Sequence, residues 1–99
     1  MDFNVVIPQT VYDRINEIYY YIAVEKENPG DAQKLVERIY RAISSLDTFP
    51  ERGSDLVQGR YANQGFRWIP EGNYMIVYEV SGTDVILQTV RHMLEEDSD

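Results

Sequence analysis

Residues 66–97 read FRWIPEGNYMIVYEVSGTDVILQTVRHMLEED, and their patterning decides the fold. Tyr74–Val80 and Val85–Val90 are rich in Val, Ile and Tyr, residue types that suit a pleated, half-buried surface. Ser81-Gly82-Thr83-Asp84 supplies turn chemistry between them, which predicts a β-hairpin. A shorter run, Gly65–Ile69, comes first and is closed by Pro70-Glu71-Gly72-Asn73, with Pro, Gly and Asn where a tight reversal needs them. The stretch is therefore expected as a three-stranded antiparallel meander. Alternation puts Tyr74, Ile76, Tyr78 and Val80 on one side and Met75, Val77 and Glu79 on the other. One side is expected to meet helices. The other is expected to be an exposed, partly apolar surface with Arg67, Arg91 and His92 near its strand ends.

Upstream the period changes. Phe3–Ile7 is a brief strand candidate ended by Pro8, which cannot donate to a central ladder, so this strand should join an edge of the sheet. Val11, Ile15, Ile18 and Ile22 recur at helical spacing and predict an amphipathic helix from Thr10 to about Glu27, with Tyr12 and Tyr19 widening its stripe. Asn28-Pro29-Gly30-Asp31 breaks it, with Asp31 the expected N-cap of a second helix. That helix carries Leu35, Val36, Ile39, Ala42 or Ile43, and Leu46. A link this short makes the two helices fold back on each other. Thr48-Phe49-Pro50-Glu51-Arg52-Gly53 ends the pair, and Ser54 to Gln64 has too little periodicity to assign as ordered or mobile. The order strand, helix, helix, strand, strand, strand is that of an α+β domain, a helical hairpin packed on an antiparallel sheet. It spans residues 1–94 as one domain, followed by an acidic tail at 95–99 that reads as solvated.

Composition narrows function. The 99 residues suit one small domain able to bury roughly 60–70% of its unfolded surface. The absence of cysteine and the single histidine argue against disulfides and against most zinc sites, and no metal or cofactor is expected. No apolar run approaches the ~20 residues of a bilayer span, and MDFNVVIPQT lacks the basic start of a signal peptide, so no membrane partner and a cytoplasmic location are expected. A net charge of −8 disfavours direct nucleic-acid binding, which rests on many Lys and Arg neutralising phosphates. Arg52, Arg60, Arg67 and Arg91 are the candidates for a local basic patch.

Catalytic signatures are mostly missing: there is no glycine-rich phosphate loop and no serine elbow. Glu25 and Glu27 at a helix end read as solvated carboxylates. Arg67, Arg91 and His92 form the one set with chemical potential, since Arg can grip a phosphate and His can exchange a proton near neutral pH. The same residues could instead tie the sheet edge to Glu79 or Glu95, or contact a partner. Arg91 and His92 are adjacent in a strand and so should point to opposite faces, which weakens convergence on one substrate. No residue is assigned a catalytic role. Arg67, Trp68, Tyr78, Arg91 and His92 are the candidates for partner contact. Tyr74 and Tyr78 could offer bases a stacking platform, but core packing is the reading that fits the negative charge. Trp68 belongs either beneath the long loop or in an interface.

Taken in order, several pieces resemble the RelE/ParE superfamily of bacterial type II toxins, also labelled plasmid stabilisation proteins. They are the opening strand, the helical pair split by Asn28-Pro29-Gly30-Asp31-Ala32, Leu46…Phe49-Pro50-Glu51-Arg52-Gly53, Phe66-Arg67, Tyr74–Val80 and Val90-Arg91-His92. RelE-like members cleave messenger RNA on the ribosome with basic residues on the sheet. Here the matching position of the penultimate strand is Met75, and the segment after His92 is acidic. Arg67 and Arg91-His92 resemble the ParE pattern instead, although the usual Arg-rich ending is replaced by Glu-Glu-Asp. The resemblance implies a toxin that poisons DNA gyrase rather than a nuclease, and a cognate antitoxin that folds over it. The alternatives are a RelE-like messenger-RNA endoribonuclease and a diverged, non-toxic member retained for complex formation.

Overall fold

The computed structural model describes residues 2–94, so the acidic run at 95–99 lies outside the described residues. Helix α1 spans Gln9–Tyr20 and begins where Pro8, in an extended conformation, accepts the N–H of Val11 at 3.0 Å. Its stripe of Val11, Ile15 and Ile18 is buried. A π-helical turn at Tyr21–Glu25 follows, with Lys26 N–H bonded to Tyr21 O at 3.1 Å. The wider turn still lets the half-buried Ile22 pack on the core.

Helix α2 spans Pro29–Ser44, and its cap is Asn28 rather than Asp31. Asn28 Oδ1 accepts Asp31 N–H at 3.2 Å, and Asn28 Nδ2 donates to Asp31 Oδ2 at 2.8 Å. Proline suits the first helical position because its missing N–H would have had no intrahelical acceptor, which moves the start three residues upstream of the expected one. Leu35, Ile39, Ile43 and Leu46 supply the buried stripe, the last from a 3-10 turn at Ser45–Asp47.

Five strands form one sheet: β1 (Asn4–Val6), β2 (Ser54–Asp55), β3 (Arg67–Glu71), β4 (Tyr74–Ser81) and β5 (Asp84–His92), in the order β1-β5-β4-β3-β2. The expected meander is present as β3, β4 and β5. The sheet as a whole is mixed, however, because β1 runs parallel to β5. Asn4 N–H donates to Thr83 O at 2.9 Å, so β1 starts beside the turn from which β5 starts. Both strands leave the same end of the sheet and therefore run the same way.

The β4–β5 turn is two residues long, with Ser81 paired to Asp84 and Gly82 at φ +61°, a conformation that costs glycine little. Further along, Val77 pairs with Thr89 but Tyr78 pairs with Leu87, leaving Gln88 as the extra residue of a β-bulge. The bulge lets Leu87 and Val90, three apart, both join the core beneath the helices.

That core unites Val11, Ile15, Ile39 and Ile43 from the helices with Ile69, Ile76 and Tyr78 from the sheet. The opposite face differs from the expected exposed surface. Met75 and Val77 retain only 9% and 1% of their exposure, packed with Leu56, Tyr61, Phe66 and Trp68 in a second cluster. The connection folds back over this face, closed by Leu56 N–H to Phe66 O and Asn63 N–H to Leu56 O, each 2.9 Å. Apolar side chains on a lone sheet face are costly in water, and the loop removes them from it.

Met75→Ala is expected to destabilise the chain by about 2–5 kcal/mol in urea unfolding, the range for emptying a buried Met site. A change within about 0.5 kcal/mol, as for a surface position, would show that the loop does not seal this face.

Candidate functional site

The turn Pro50-Glu51-Arg52-Gly53 is held by three side chains that the sequence marks as chemically interesting. Tyr78 Oη donates to Pro50 O from a fully buried position. Arg67, the cross-strand partner of Tyr78, donates through Nη1 to Gly53 O at 2.9 Å and Glu51 O at 3.2 Å, with Asp55 Oδ1 at 3.6 Å. Arg52 reaches back to the end of α2, donating to Thr48 O at 2.9 Å and Ser45 Oγ at 2.7 Å. Carbonyls at a helix end lack intrahelical donors, and a guanidinium satisfies several at once. Burial pushes the Tyr78 phenol above its ordinary value, with Arg52 pulling the other way, so it remains a protonated donor at neutral pH.

This arrangement corrects one expected partner contact: a Tyr78 with no accessible surface presents nothing to another chain. It also spreads the four arginines over three places rather than one patch. Arg52 and Arg67 belong to the clasp just described. Arg60 lies over the Tyr61 ring at 5.6 Å, and Arg91 is 6% exposed opposite Met75 in the sheet. Trp68 pairs with Val77 and packs in the cluster under the loop, which is the first of its two expected positions.

His92 lies at the other end of the sheet. It pairs with Tyr74, meets that ring edge-on at 5.2 Å between centroids, and accepts Leu94 N–H on Nδ1 at 3.1 Å. Arg91 is opposite Met75, on the strand face away from His92. Arg67 is opposite Tyr78, four residues along β4 from Tyr74, or about 13 Å at the rise of an extended strand. Arg67, Arg91 and His92 therefore do not converge. Cleaving a phosphodiester needs a phosphate-binding cation and a proton-transfer group within hydrogen-bond reach of one substrate.

His92 and Tyr74 instead help to line an open cleft of about 1040 Å³ between the sheet end, α1, the π-helical turn and the start of α2. Arg14, Lys26, Lys34 and Arg38 also line it. Arg14 Nε donates to Val90 O at 2.9 Å, which ties α1 to β5, and Arg38 pairs with Glu71 at 3.3 Å. These cations were not singled out from the sequence. The i, i+4 spacing of Lys34 and Arg38 was the available signal, since it puts both on one side of α2. Among the described residues, no helix is long and apolar enough to cross a membrane.

Residues 5–96 match the sequence model described as ParE toxin of type II toxin-antitoxin system, parDE. The chain belongs to the ParE toxin family. Its fold is shared with a structure titled as the chromosomal ParDE toxin-antitoxin system of P. aeruginosa, at 17% identity and TM-score 0.70, covering 91% of this chain and 95% of that one. It is shared too with the toxin-antitoxin complex RelBE2 of Mycobacterium tuberculosis, at 15% identity and TM-score 0.67, covering 93% and 99%. No curated protein sequence matches the chain. In this ParE-family toxin, Pro50–Gly53 is one point where the helical pair is fastened to the sheet, beside the Arg14–Val90 and Arg38–Glu71 ties.

Gly53 makes that fastening testable, because a Cβ there would collide with Tyr78 Oη and sit 3.0 Å from Trp68 O. Gly53→Ala is expected to destabilise the ParE-family fold by about 1–3 kcal/mol, as overpacking does. In a Tyr78→Phe background the same change should cost clearly less, because the colliding oxygen is gone. Equal costs in both backgrounds, measured by urea unfolding, would contradict the clasp.

Proposed function

We propose that this ParE-family chain acts by gripping protein, with DNA gyrase as its target and stalled DNA breaks as the outcome, and that a cognate antitoxin holds it silent. The observation that carries the non-nuclease part is the separation of Arg67, Arg91 and His92, together with the hydrogen bonds that commit Arg67 to the turn at 51–53. The net charge of −8 supports the same reading, because a protein target places less demand on cationic surface than ribosomal RNA does. The choice of gyrase rests on family membership.

The antitoxin reading draws on the exposed Tyr20, Tyr21 and Val24 at the helical tip and Val6 on the edge strand. A segment that orders on binding would lay its apolar side chains across such positions. The two similar structures are titled as toxin-antitoxin assemblies, which fits a partner of this kind.

Expression with and without the antitoxin, followed by separate assays of DNA breaks and messenger-RNA cleavage, tests the proposal. Growth arrest with gyrase-dependent breaks that the antitoxin suppresses is the expected result. Cuts at codon positions in translating ribosomes would establish the RelE-like alternative, and unaffected growth would favour the diverged, non-toxic one. Antitoxin affinity should change little with salt, because apolar burial dominates the contact; a steep salt dependence would contradict that surface.

A further inference from the structure

Among the described residues, three that are not glycine have a left-handed backbone: Glu27, Phe49 and Asn63. Asn63 is of a type whose short polar side chain visits this region readily. Glu27 and Phe49 each follow the capping residue of a helical segment, Lys26 and Thr48, where the conformation is common but Gly or Asn usually adopts it. Glu27 leaves a charged side chain in water. At Phe49 the costs accumulate. A bulky side chain at φ +50° and ψ +59° is an outlier, and the ring of Pro50 after it presses it toward extended backbone. The Phe49 ring is also 66% exposed and belongs to neither apolar cluster. Single exposed apolar side chains are ordinary; one held on a strained backbone is not. The turn needs this backbone, because Phe49 O accepts the Arg52 N–H at 3.2 Å. Nothing in the fold needs this ring.

The mount beneath it is rigid. Arg52 Nη1 donates to Thr48 O at 2.9 Å, Tyr78 Oη to Pro50 O, and Arg67 Nη1 to Glu51 O at 3.2 Å, so the chain is fixed on both sides of Phe49. Pro50 is buried and its ring fixes its own φ. An aromatic side chain on a fixed backbone has only two torsions left to lose, which makes it an inexpensive anchor for binding.

A rigid projection suits a pocket that already exists on a folded partner, whereas a segment that orders as it binds offers no pocket in advance. The exposed tip of Tyr20, Tyr21 and Val24 precedes α2 and Phe49 follows it, so the 16 residues of α2 hold the two about 24 Å apart. A second copy of the chain is disfavoured by the net charge of −8 that each copy carries. We propose that Phe49 is a preorganised anchor for the folded protein target, its ring seating in an apolar pocket of that partner. This rests on the reading that the chain acts by gripping protein.

Phe49→Asn removes the ring and suits the left-handed backbone, while Phe49→Leu keeps apolar bulk on it. Each is compared with wild type in urea unfolding, in affinity for purified DNA gyrase and for the antitoxin, and in growth arrest on expression. Phe49→Asn is expected to unfold at the same or higher urea and to bind antitoxin within about twofold, yet to lose about tenfold or more in gyrase affinity, and growth arrest with it. Phe49→Leu should keep most of both. Gyrase affinity retained in Phe49→Asn would overturn the anchor and leave the gyrase reading standing. If wild type arrests growth without binding gyrase, the gyrase reading falls alone; arrest lost in Phe49→Asn then still supports the anchor, and arrest that persists overturns it. A lower unfolding midpoint, a loss of antitoxin affinity instead, or a wild-type dimer that Phe49→Asn dissolves would give the ring to the core, the antitoxin or a second copy, and would overturn the proposal. A wild type that neither binds gyrase nor arrests growth would overturn both.

Discussion

Strand β4 is covered on both sides, and most of the molecule's arrangement follows from that. Ile76 and Tyr78 face the helices, while Met75 and Val77 face the folded-back loop. Strand β5 pairs with β4 from Tyr74 to Ser81 on one edge, and β3 pairs with it from Tyr74 to Tyr78 on the other. A strand enclosed in this way cannot slip by one residue without exchanging one apolar set for the other and turning Glu79 toward the helix-side core. The register of the flanking strands is thereby set, and with it the positions of Arg67, Arg91 and His92.

Function is constrained by the same geometry. Register holds Arg67 beside Tyr78, where both grip the turn after the helices, and holds His92 at the far end beside Tyr74. Arg91 is pressed against the loop-covered face. Residues that look reactive when listed by type are thus placed by the sheet into fastening and packing positions. The surface includes an apolar patch at the helical tip and a cleft lined by four cations, features that suit contacts with protein segments.

The sequence made the helices and the meander legible because both are local, periodic patterns. Val11, Ile15 and Ile18 announce one stripe, and the β4 alternation announces two faces. It also anticipated that Arg91 and His92 part company, since adjacent strand residues must. Non-local features were not visible. Strand β2 is only Ser54–Asp55, with no apolar signal, and Leu56 and Phe66 become a cover only once the chain has doubled back. Gln88 is an extra residue only relative to its partner strand, and the direction of β1 depends on a bond to Thr83, far away in sequence. From the sequence Asp31 reads as the cap because Asn28-Pro29-Gly30 reads as a break, whereas proline at the first helical position is tolerated. The clasp at 50–53 was present in the family-like stretch but unreadable as a structure, since its donors come from three separate elements.

Native-state hydrogen exchange of the isolated chain measures the enclosure of β4 most directly. The account predicts that the amides of Ile76, Val77 and Tyr78 exchange only through global unfolding, with opening free energies equal to the stability found by denaturant. Exchange of those amides through a low-energy local opening, at rates like those of the Gly82–Thr83 turn, would show that the strand is not enclosed and would contradict the account.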